Sequence, residues 1–428
     1  MRRFSILTLA LSLLCPFYCA AQASPAESDP WGKLLYEMQT HFSDLSDTSR
    51  WIHILPIARS VTWDKPAGEE DLWDTGDRIA PMTLLYSKGN GRFSLNWEEF
   101  IYSLDLGGHR GPNKDREKAE NAWVSAVNAR NKLETKLVGG YEESQKGKPP
   151  RFRTPWYAWY NENAGPKLAV ANKKVADALA DYQQYLDPSD ATNAAINQVL
   201  SYLSAGKLSP GEDPNRLSAR KHPYALTANV TTFIADGDAN KNQDKWPFTW
   251  SIDHDTKADK RETSNLGGSA SLFGFIKVGG GGSHESINTS HQQFKLVVRF
   301  RNLEKMELKP AGGWFDPGVL DQFKDGPYKT GHDKAEFFGP SGKLKKHPIE
   351  VILAYQPEIE GTLLTEEYNF FKQSLSGGGG FSIGPFSFNA SGGSTLTEEG
   401  HDNKTTSFKV TSVSTTPQLI AVISAIEQ

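Results

Sequence analysis

Two short apolar segments, each enclosed by clusters of glycine, constrain this chain more than any other feature. The first reads GGSASLFGFIKVGGGGS over residues 267–283, and the second reads GGGGFSIGPFSFNASGGS over residues 377–394. The second alternates aromatic and small polar residues, which is typical of a strand. Its Gly384-Pro385 step interrupts the alternation as a bulge or a turn does. The two segments therefore predict sheet strands whose glycines allow close packing or sharp bends.

Each segment is followed by a polar stretch and then by a matched strand. The strand begins Phe294-Lys-Leu after the first segment and Phe408-Lys-Val after the second. Two copies are too few for a solenoid. They predict an internal repeat in the form of two equivalent hairpins on one sheet.

Three interpretations of this pair are open from the sequence. The segments are plain sheet strands, hairpins that insert into a membrane as in β-pore-forming toxins, or adhesive surfaces, because flat apolar strands invite edge pairing. Arms of about 8 residues are short for a tilted spanning strand, which takes about 9–11, although the polar flanks could lengthen them. The candidate membrane or partner contacts are Leu272, Phe273, Phe275, Ile276, Phe381, Ile383, Phe386 and Phe388.

The first 23 residues have the pattern of a secretory signal peptide. Arg2 and Arg3 precede an apolar run over residues 6–17, and Ala21-Gln22-Ala23 is a small-residue cleavage site. We expect cleavage after Ala23 and a secreted or periplasmic protein. The competing interpretation is a retained N-terminal anchor.

The positions of the cysteines and the net charge limit the disulfides and the binding partners that this chain can have. Cys15 and Cys19 both lie in the predicted signal, so the mature chain is expected to contain no cysteine and no disulfide. The formal net charge of −4 argues against nucleic acid, whose binding needs a basic face. A protein surface, a membrane surface and a carbohydrate are the partners that the composition allows.

The fold class that the sequence predicts is α+β. Residues 24–110 read as a mixed α/β region, and residues 111–206 as an antiparallel helical hairpin with a third helix. Residues 218–428 read as a β-rich domain, either a sandwich or a large antiparallel sheet. The helical hairpin rests on apolar residues spaced by three and four after Asp115 and after Pro166, with Gly139-Gly140 ending its first helix. Strands are predicted at 226–235, 248–252, 293–308, 349–355, 407–414 and 418–426.

The N-terminal region is predicted to contain a helix, a strand and a β-hairpin. A helix is expected over residues 31–43 and a strand over residues 51–63. Residues 83–95 read as a hairpin, because Asn90-Gly91 supplies the positive φ that a tight turn needs.

The link inside the helical hairpin is basic and then densely aromatic, reading KGKPPRFRTPWYAWY over residues 146–160. Its rings either pack over the open end of the hairpin or contact a ligand, a sugar or a membrane interface. Trp and Tyr suit either role, because they carry an apolar body and a polar tip. The candidate ligand-contacting residues are Trp156, Tyr157, Trp159 and Tyr160.

Residues 236–244 carry oxygen-bearing side chains at alternate positions, as calcium-binding loops do. Lys241 stands where an EF-hand needs glycine, and Asx-rich turns between strands are common, so a turn is the competing interpretation. The sequence contains no zinc-hydrolase motif, nucleophile elbow or phosphate loop, and we expect no cofactor. The calcium candidates are Asp236, Asp238, Asn240 and Asp244.

The sequence favours binding without catalysis, most sharply as a membrane-acting protein with pore-forming hairpins. The alternative is a secreted hydrolase that acts on carbohydrate through carboxylates that the sequence does not single out. A hydrolase needs two carboxylates facing one cleft about 5–9.5 Å apart. A membrane-acting protein needs its two glycine-flanked hairpins side by side on one face.

Overall fold

The structure is a computed structural model that describes most of the chain after residue 29. The described residues are 30–61, 72, 75–86, 91–105, 113–146, 154, 156–185, 224–226, 229–254, 275–279, 285–286, 294–311, 314–377, 380–389, 393–402 and 404–426. The predicted signal peptide and the predicted third helix of the helical region lie outside them.

Nine helices occur in this part of the chain. They are α1 (Pro30–His41), α2 (Phe93–Ser103), α3 (Asn113–Gln145), α4 (Trp156–Asn163), α5 (Gly165–Gln183), α6 (Val230–Asn242), α7 (Pro317–Phe323), α8 (Lys334–Phe338) and α9 (Thr365–Ser376).

The strands of the described residues follow the order of the chain. They are β1 (Arg50–Ser60), β2 (Arg78–Ile79), β3 (Gly91–Arg92), β4 (Tyr224–Leu226), β5 (Phe248–His254), β6 (Ile276–Gly279), β7 (Glu285–Ser286), β8 (Phe294–Pro310), β9 (Lys346–Leu364), β10 (Gly380–Ile383), β11 (Phe386–Asn389), β12 (Thr395–His401), β13 (Thr405–Thr411) and β14 (Gln418–Ile426).

The two longest strands, β8 and β9, pair antiparallel and form the centre of an eight-stranded sheet. At one end they are flanked by β5 and β13, and β12 pairs with the outer edge of β13. At the other end β4 pairs with β8, β14 pairs with β9, and β1 pairs with β14. The chain is therefore α+β, built on a large antiparallel sheet as the sequence predicted.

The end of the sheet that carries β5 and β13 is called the insertion end below. There the β5–β8 ladder finishes with His254 opposite Phe294, and the β9–β13 ladder finishes with Leu364 opposite Thr405. Both strand pairs are open at this end, because a long segment of chain separates the two strands of each pair; in the second pair this segment includes β12, which lies in the sheet beside β13.

The two ladders finish at nearly the same level, since Leu296 of β8 lies opposite Gly361 of β9. Residues 255–293 and residues 365–404 are therefore two insertions of nearly equal length. They leave adjacent strand pairs at one end of the sheet.

The sheet separates two apolar cores, because successive side chains of a strand point to opposite faces. On one face, Ile352 and Ile359 pack with α1, α9 and the glycine-flanked strands. On the other face, Leu353 and Tyr355 pack with α2, α3, α6 and α7. Five of the predicted strands, at 248, 293, 349, 407 and 418, are confirmed as β5, β8, β9, β13 and β14.

The helical hairpin consists of α3 and α5, which run antiparallel. Trp123 near the start of α3 stacks on Tyr182 near the end of α5, with ring centroids 5.3 Å apart. Leu137 near the end of α3 packs with Leu168 near the start of α5. Pro166 lies in the first turn of α5, as predicted.

The predicted stop at Gly139-Gly140 is wrong, because α3 continues to Gln145. A Cβ on Gly140 would lie 3.7 Å from the indole of Trp159, whose ring also meets Tyr141 edge-on with centroids 5.6 Å apart. Packing of α4 against this last stretch stabilises a helix that the local sequence does not favour.

The hairpin predicted over residues 83–95 is also wrong, because residues 93–103 form helix α2. Asp77 explains the difference, since its carboxylate accepts hydrogen bonds from the backbone N–H of Ser94, at 2.7 Å, and from the Ser94 hydroxyl, at 2.9 Å. This distant side chain caps the start of α2 in the way that an N-cap residue would.

The strand predicted over residues 226–235 is wrong beyond its first residue. Residues 230–242 form α6, and the side chain of Asn229 caps it by accepting from the N–H groups of Thr231 and Thr232, at 2.9 and 3.3 Å. A local cap therefore outweighs the β-branched composition of this segment.

Candidate functional site

The two glycine-flanked segments lie side by side in a four-stranded sheet with the order β11-β10-β6-β7. The strand from each segment pairs antiparallel with the other: Gly380 lies opposite Gly279, and Ile383 opposite Ile276. Each of these strands also forms a hairpin with its own neighbour, β6 with β7 and β10 with β11. This four-stranded unit is called the hairpin sheet below. Two hairpins are thus adjacent on one sheet as predicted, but they are not equivalent, because β10 and β11 both lie within the second segment whereas β7 lies beyond the first.

Gly384-Pro385 is the tip of the β10–β11 hairpin, so of the two predicted alternatives the turn is correct and the bulge is not. Gly384 has φ of +56°, a left-handed value that glycine adopts without strain. The tip is held to the large sheet through β1, where the N–H of Ala58 donates to the carbonyl of Pro385 at 2.6 Å. The amide of Gln418 in β14 bonds both the N–H and the carbonyl of Ser387, at 3.2 and 3.0 Å.

The predicted membrane or partner contacts that the structure describes face the core. Phe381 stacks on Phe388 of the facing strand with centroids 5.4 Å apart, and Phe386 packs against Phe300 of β8 at 5.3 Å. Phe275 meets Trp31 of α1 edge-on at 5.0 Å. Ile383 is fully buried in the same core.

The remaining predicted contacts cannot be placed, because Leu272 and Phe273 lie outside the described residues and the structure describes only the backbone of Ile276. In this conformation the buried rings hold the hairpin sheet against the large sheet. Contact of these buried residues with a membrane or a partner would require the hairpins to leave the core.

Two serine hydroxyl groups on the polar face of the β10–β11 hairpin are also buried. Ser382 and Ser387 lie opposite each other, and among the described residues neither hydroxyl has a hydrogen-bond partner. A buried hydroxyl without a partner costs about 1–3 kcal/mol. This conformation therefore buries polar groups that an environment with water on that face would satisfy.

A ladder of charges crosses the sheet just below the insertion end. Arg299 of β8 bonds Glu360 of β9 at 2.5 Å, and Lys409 of β13 bonds Glu358 and Glu360 of β9 at 2.9 and 3.0 Å. Burial alone would raise the pKa of Glu360, but hydrogen bonds from Arg299 and Lys409 outweigh it and hold that pKa below its ordinary value. These pairs fix the register of the strands from which the second insertion leaves.

The aromatic link is only partly described. Residues 156–163 form α4, in which Trp159 is half-buried against α3, and this contact agrees with a packing role for that ring. The structure describes only the backbone of Trp156, Tyr157 and Tyr160, so their predicted role as ligand contacts stays a prediction.

The predicted calcium stretch is helical rather than a turn between strands. Side chains two residues apart on a helix do not face each other, so the alternation does not gather ligands. Two of its carboxylates instead bond the large sheet: Asp238 accepts from the Tyr355 hydroxyl at 2.9 Å, and Asp244 accepts from Arg301 at 3.1 Å. The stretch comprises Asp236, Asp238 and Asn240 within α6 and Asp244 just after it.

A cleft of about 790 Å³ lies between α2, α3 and the segment before α8. Of its carboxylates, Glu120 forms an ion pair with Lys329, and Glu99 forms one with Lys343 at 2.6 Å. Lysine-bound carboxylates of this kind do not resemble the acid and base pair of a glycoside hydrolase.

Below this cleft lies a buried ion pair that the sequence did not indicate. Glu98 of α2 binds Arg130 of α3, and both side chains are almost fully buried. The Tyr102 hydroxyl donates to Glu98 at 3.2 Å, and burial raises the pKa of Tyr102 well above its ordinary value. Because these residues come from two separate helices, no local pattern could have linked them.

No protein-family model, curated protein or solved structure matches this chain. Among the described residues, no helix is long and apolar enough to cross a membrane, and no group of three or more His, Cys, Asp or Glu could hold a metal ion. The geometry of the two insertions is therefore the basis for a functional assignment.

Proposed function

We propose that this protein is a secreted, non-catalytic, membrane-acting protein whose two insertions refold into membrane-spanning β hairpins. The observation that carries the proposal is their position, since both leave the insertion end from the adjacent pairs β5–β8 and β9–β13. An antiparallel pair can be lengthened at its open end while the rest of the sheet stays as it is. Two neighbouring pairs lengthened in this way would extend together from one side of the molecule.

The second insertion is amphipathic when it is written as two extended arms. On its apolar face only Gln373 and Ser394 are polar. Every position of the two arms that is not named in this paragraph is a glycine. The apolar face carries Phe371, Leu375, Phe381 and Ile383 from the first arm and Phe386, Phe388, Ala390 and Leu396 from the second. The opposite face carries Lys372, Ser374, Ser376 and Ser382 from the first arm and Ser387, Asn389, Ser391, Thr395 and Thr397 from the second.

These arms are long enough to cross a bilayer. The alternation covers residues 371–383 and 386–397, and at about 3.3 Å per residue each arm reaches roughly 40 Å. The hydrocarbon core is about 30 Å thick. The sequence-based estimate of short arms counted only the apolar residues between the glycine clusters, whereas Gly384-Pro385 is the turn between two arms.

The first insertion gives a less regular pattern when its residues continue the β5–β8 register as strands, because Phe273 and Phe275 then fall on the polar face. Gly274 then stands at the tip, with Phe273 and Phe275 beside it. The apolar face would carry Leu266, Ala270, Leu272, Ile276 and Val278. The opposite face would carry Asn265, Ser269, Ser271, Lys277 and Ser283.

The hydrolase alternative receives less support. The described cleft carries Glu99, Glu117 and Glu120, and lysines bind two of the three, Glu99 and Glu120. Carbohydrate and protein surfaces remain proposed targets of the aromatic link at residues 146–160. The membrane proposal does not involve this link.

Dye release from lipid vesicles tests the proposal. The full-length protein should release an encapsulated fluorophore from vesicles of at least one of several compositions, for example zwitterionic lipid with and without anionic lipid or sterol. An absence of release from every composition, together with an absence of membrane-bound protein after flotation, would show that the protein does not act on membranes.

A matched pair of neighbouring lysine substitutions tests the two faces of the proposed hairpin. Ser376 and Gly377 are both exposed at the end of α9, so Ser376→Lys and Gly377→Lys should disturb the folded protein to a similar, small degree. Only Gly377→Lys places a charge on the lipid-facing side, where it costs about 2–4 kcal/mol near the midplane. Ser376→Lys should retain most of the release and Gly377→Lys should lose it, whereas equal release by both variants would contradict the assignment of faces.

A further inference from the structure

The two ladders at either end of the second insertion share one register. The β9–β13 ladder ends with Leu364 opposite Thr405, and the β10–β11 ladder begins with Gly380 opposite Asn389. Residues 365–379 on one arm and residues 390–404 on the other separate these two pairs, and the two stretches have the same length of 15 residues. Base and tip of the insertion are thus already aligned as parts of one hairpin.

We infer that the second insertion is a single β hairpin stored in folded form. In the extended form, residues 358–383 and residues 386–411 pair continuously, and neither existing ladder changes its register. This inference rests on the proposed membrane function and specifies how the second insertion would perform it. Helix α9 and strand β12 are then the stored forms of the two arms.

The first added rung of the continuous ladder is already present. The backbone N–H of Thr365 donates to the carbonyl of Lys404 at 3.0 Å, which is the pair that follows Leu364 and Thr405. Pairing therefore can extend from the base without a new nucleation step, which is the costly stage for a long hairpin because a loop must close first.

The first insertion does not share this property. In the hairpin sheet Val278 lies opposite Glu285, whereas continuation of the β5–β8 register would place it opposite Ala270. The β6–β7 pairing must therefore break before that insertion can extend from its base. The contrast makes the shared register a specific feature of the second insertion.

The stored form of the first arm is a helix with little support from its own sequence. α9 begins directly at the end of β9, and its N-cap residue, Leu364, makes no side-chain cap hydrogen bond. Seven of the twelve residues in its sequence TEEYNFFKQSLS are Thr, Asn, Tyr, Phe or Ser, which have lower helix propensity than the Glu, Lys, Gln and Leu that make up the rest. The helix therefore depends on tertiary packing, which a membrane can replace.

The stored form of the second arm is an exposed edge strand. Of the seven residues of β12 only Leu396 is half-buried and the rest are exposed. Its ladder with β13 shifts register between Glu398 and Gly400. The turn into β13 is held by Asp402, whose carboxylate accepts from the N–H groups of Lys404 and Thr405 at 2.8 and 2.7 Å. Release of β12 breaks this turn and the β12–β13 ladder but exposes little apolar surface.

Cysteine pairs in the full chain test the register directly, with Cys15→Ser and Cys19→Ser as the background. Lys372 and Thr397 are both exposed in the structure, where Lys372 lies on helix α9 and Thr397 is paired with Lys409 of β13. In the extended hairpin they lie opposite each other. Lys372→Cys/Thr397→Cys should form a disulfide when vesicles are added and dye is released. The matched control Lys372→Cys/Thr395→Cys is displaced by two residues on the same face, beyond the Cβ separation of about 3.5–4.5 Å that a disulfide needs.

A second pair locks the stored form. A Cβ on Gly400 would lie 3.9 Å from the Cβ of Ser407 across the β12–β13 ladder, within disulfide range. In the extended hairpin both positions belong to one continuous strand and are far apart. Oxidised Gly400→Cys/Ser407→Cys should lose dye release and recover it after reduction.

The outcomes separate the two proposals. Release accompanied by a disulfide at 372–395 but not at 372–397, or release by the oxidised 400–407 variant at the rate of the reduced one, would overturn the register inference and leave the membrane function standing. A lack of release by the cysteine-free background with every lipid composition would overturn the membrane function itself.

Discussion

Phe371 of α9 lies flat against Phe381 of β10, with ring centroids 4.5 Å apart and an angle of 4° between the ring planes. Both rings are buried, at 0% and 2% exposure. This stacked pair joins the stored first arm to the tip hairpin, and in the extended form the two residues would be ten positions apart on one strand. Its separation is therefore a required step of the proposed refolding.

Phe371→Ala should loosen α9 and the hairpin sheet. Removal of a buried phenylalanine side chain costs about 3–5 kcal/mol, and here the loss falls on a helix with weak local support. Hydrogen exchange followed by mass spectrometry should show faster exchange across residues 365–389, and urea should unfold the variant at a lower concentration. Gln373→Ala, at an exposed position of the same helix, is the control and should change both measurements little, so equal exchange in the two variants would contradict the role of the stacked pair.

The buried pair of Glu98 and Arg130 should respond asymmetrically to substitution. Arg130→Met leaves a buried carboxylate without this partner, which typically costs about 3–5 kcal/mol. The double variant Glu98→Leu/Arg130→Met removes both charges and should recover much of that loss. Urea unfolding of the two single variants and the double variant gives the coupling energy, and a double variant whose loss equals the sum of the single losses would show that the pair is not coupled.

Two helical glycines should have opposite effects when replaced by alanine. A Cβ on Gly237 in α6 would overlap the ring of Tyr355, whereas a Cβ on Gly139 in α3 meets nothing within 4 Å. Gly237→Ala should destabilise the protein by about 1–3 kcal/mol through overpacking. Gly139→Ala should stabilise it by about 0.5–1 kcal/mol. Thermal unfolding should move in opposite directions for the two variants, and a shift in the same direction would contradict the helix packing described here.

His53 should make the protein less stable in mild acid. Burial lowers the pKa of His53 from its ordinary value of 6.5 to about 4, although its hydrogen bond to the Thr83 carbonyl acts in the opposite direction. Above pH 6.5 the imidazole is neutral in both the folded and the unfolded chain. As the pH falls towards 4, only the unfolded chain takes up the proton, so folding loses roughly 3 kcal/mol over this window.

Urea unfolding at pH 7.5 and at pH 4.5 measures this effect. His53→Gln carries no titratable group, so the difference between the two pH values should be smaller for the variant than for the parent protein. An unchanged difference would assign the acid sensitivity to other groups, such as His347, whose pKa burial also lowers to about 4.

Local patterns predicted the elements whose apolar residues are regularly spaced. Alternation gave β8, a continuous apolar run gave β14, and helical spacing gave α1 and the start of α3. The errors occurred where a distant partner decides the structure. Asp77 caps α2 from outside the segment, and the packing of Trp159 carries α3 past its two glycines. Neither contact has a signature in the local sequence.

The paired glycine-flanked segments and their matched Phe-Lys strands were determined by the sequence alone, because repetition and alternation are properties of the chain itself. Only the tertiary structure decided that Phe381 and Phe388 face the core, since burial depends on what packs against them. The tertiary structure also decided that the arms at Leu364 and Gly380 share one register. Register describes how two paired strands are aligned, so it is defined only once the fold has brought those two strands together.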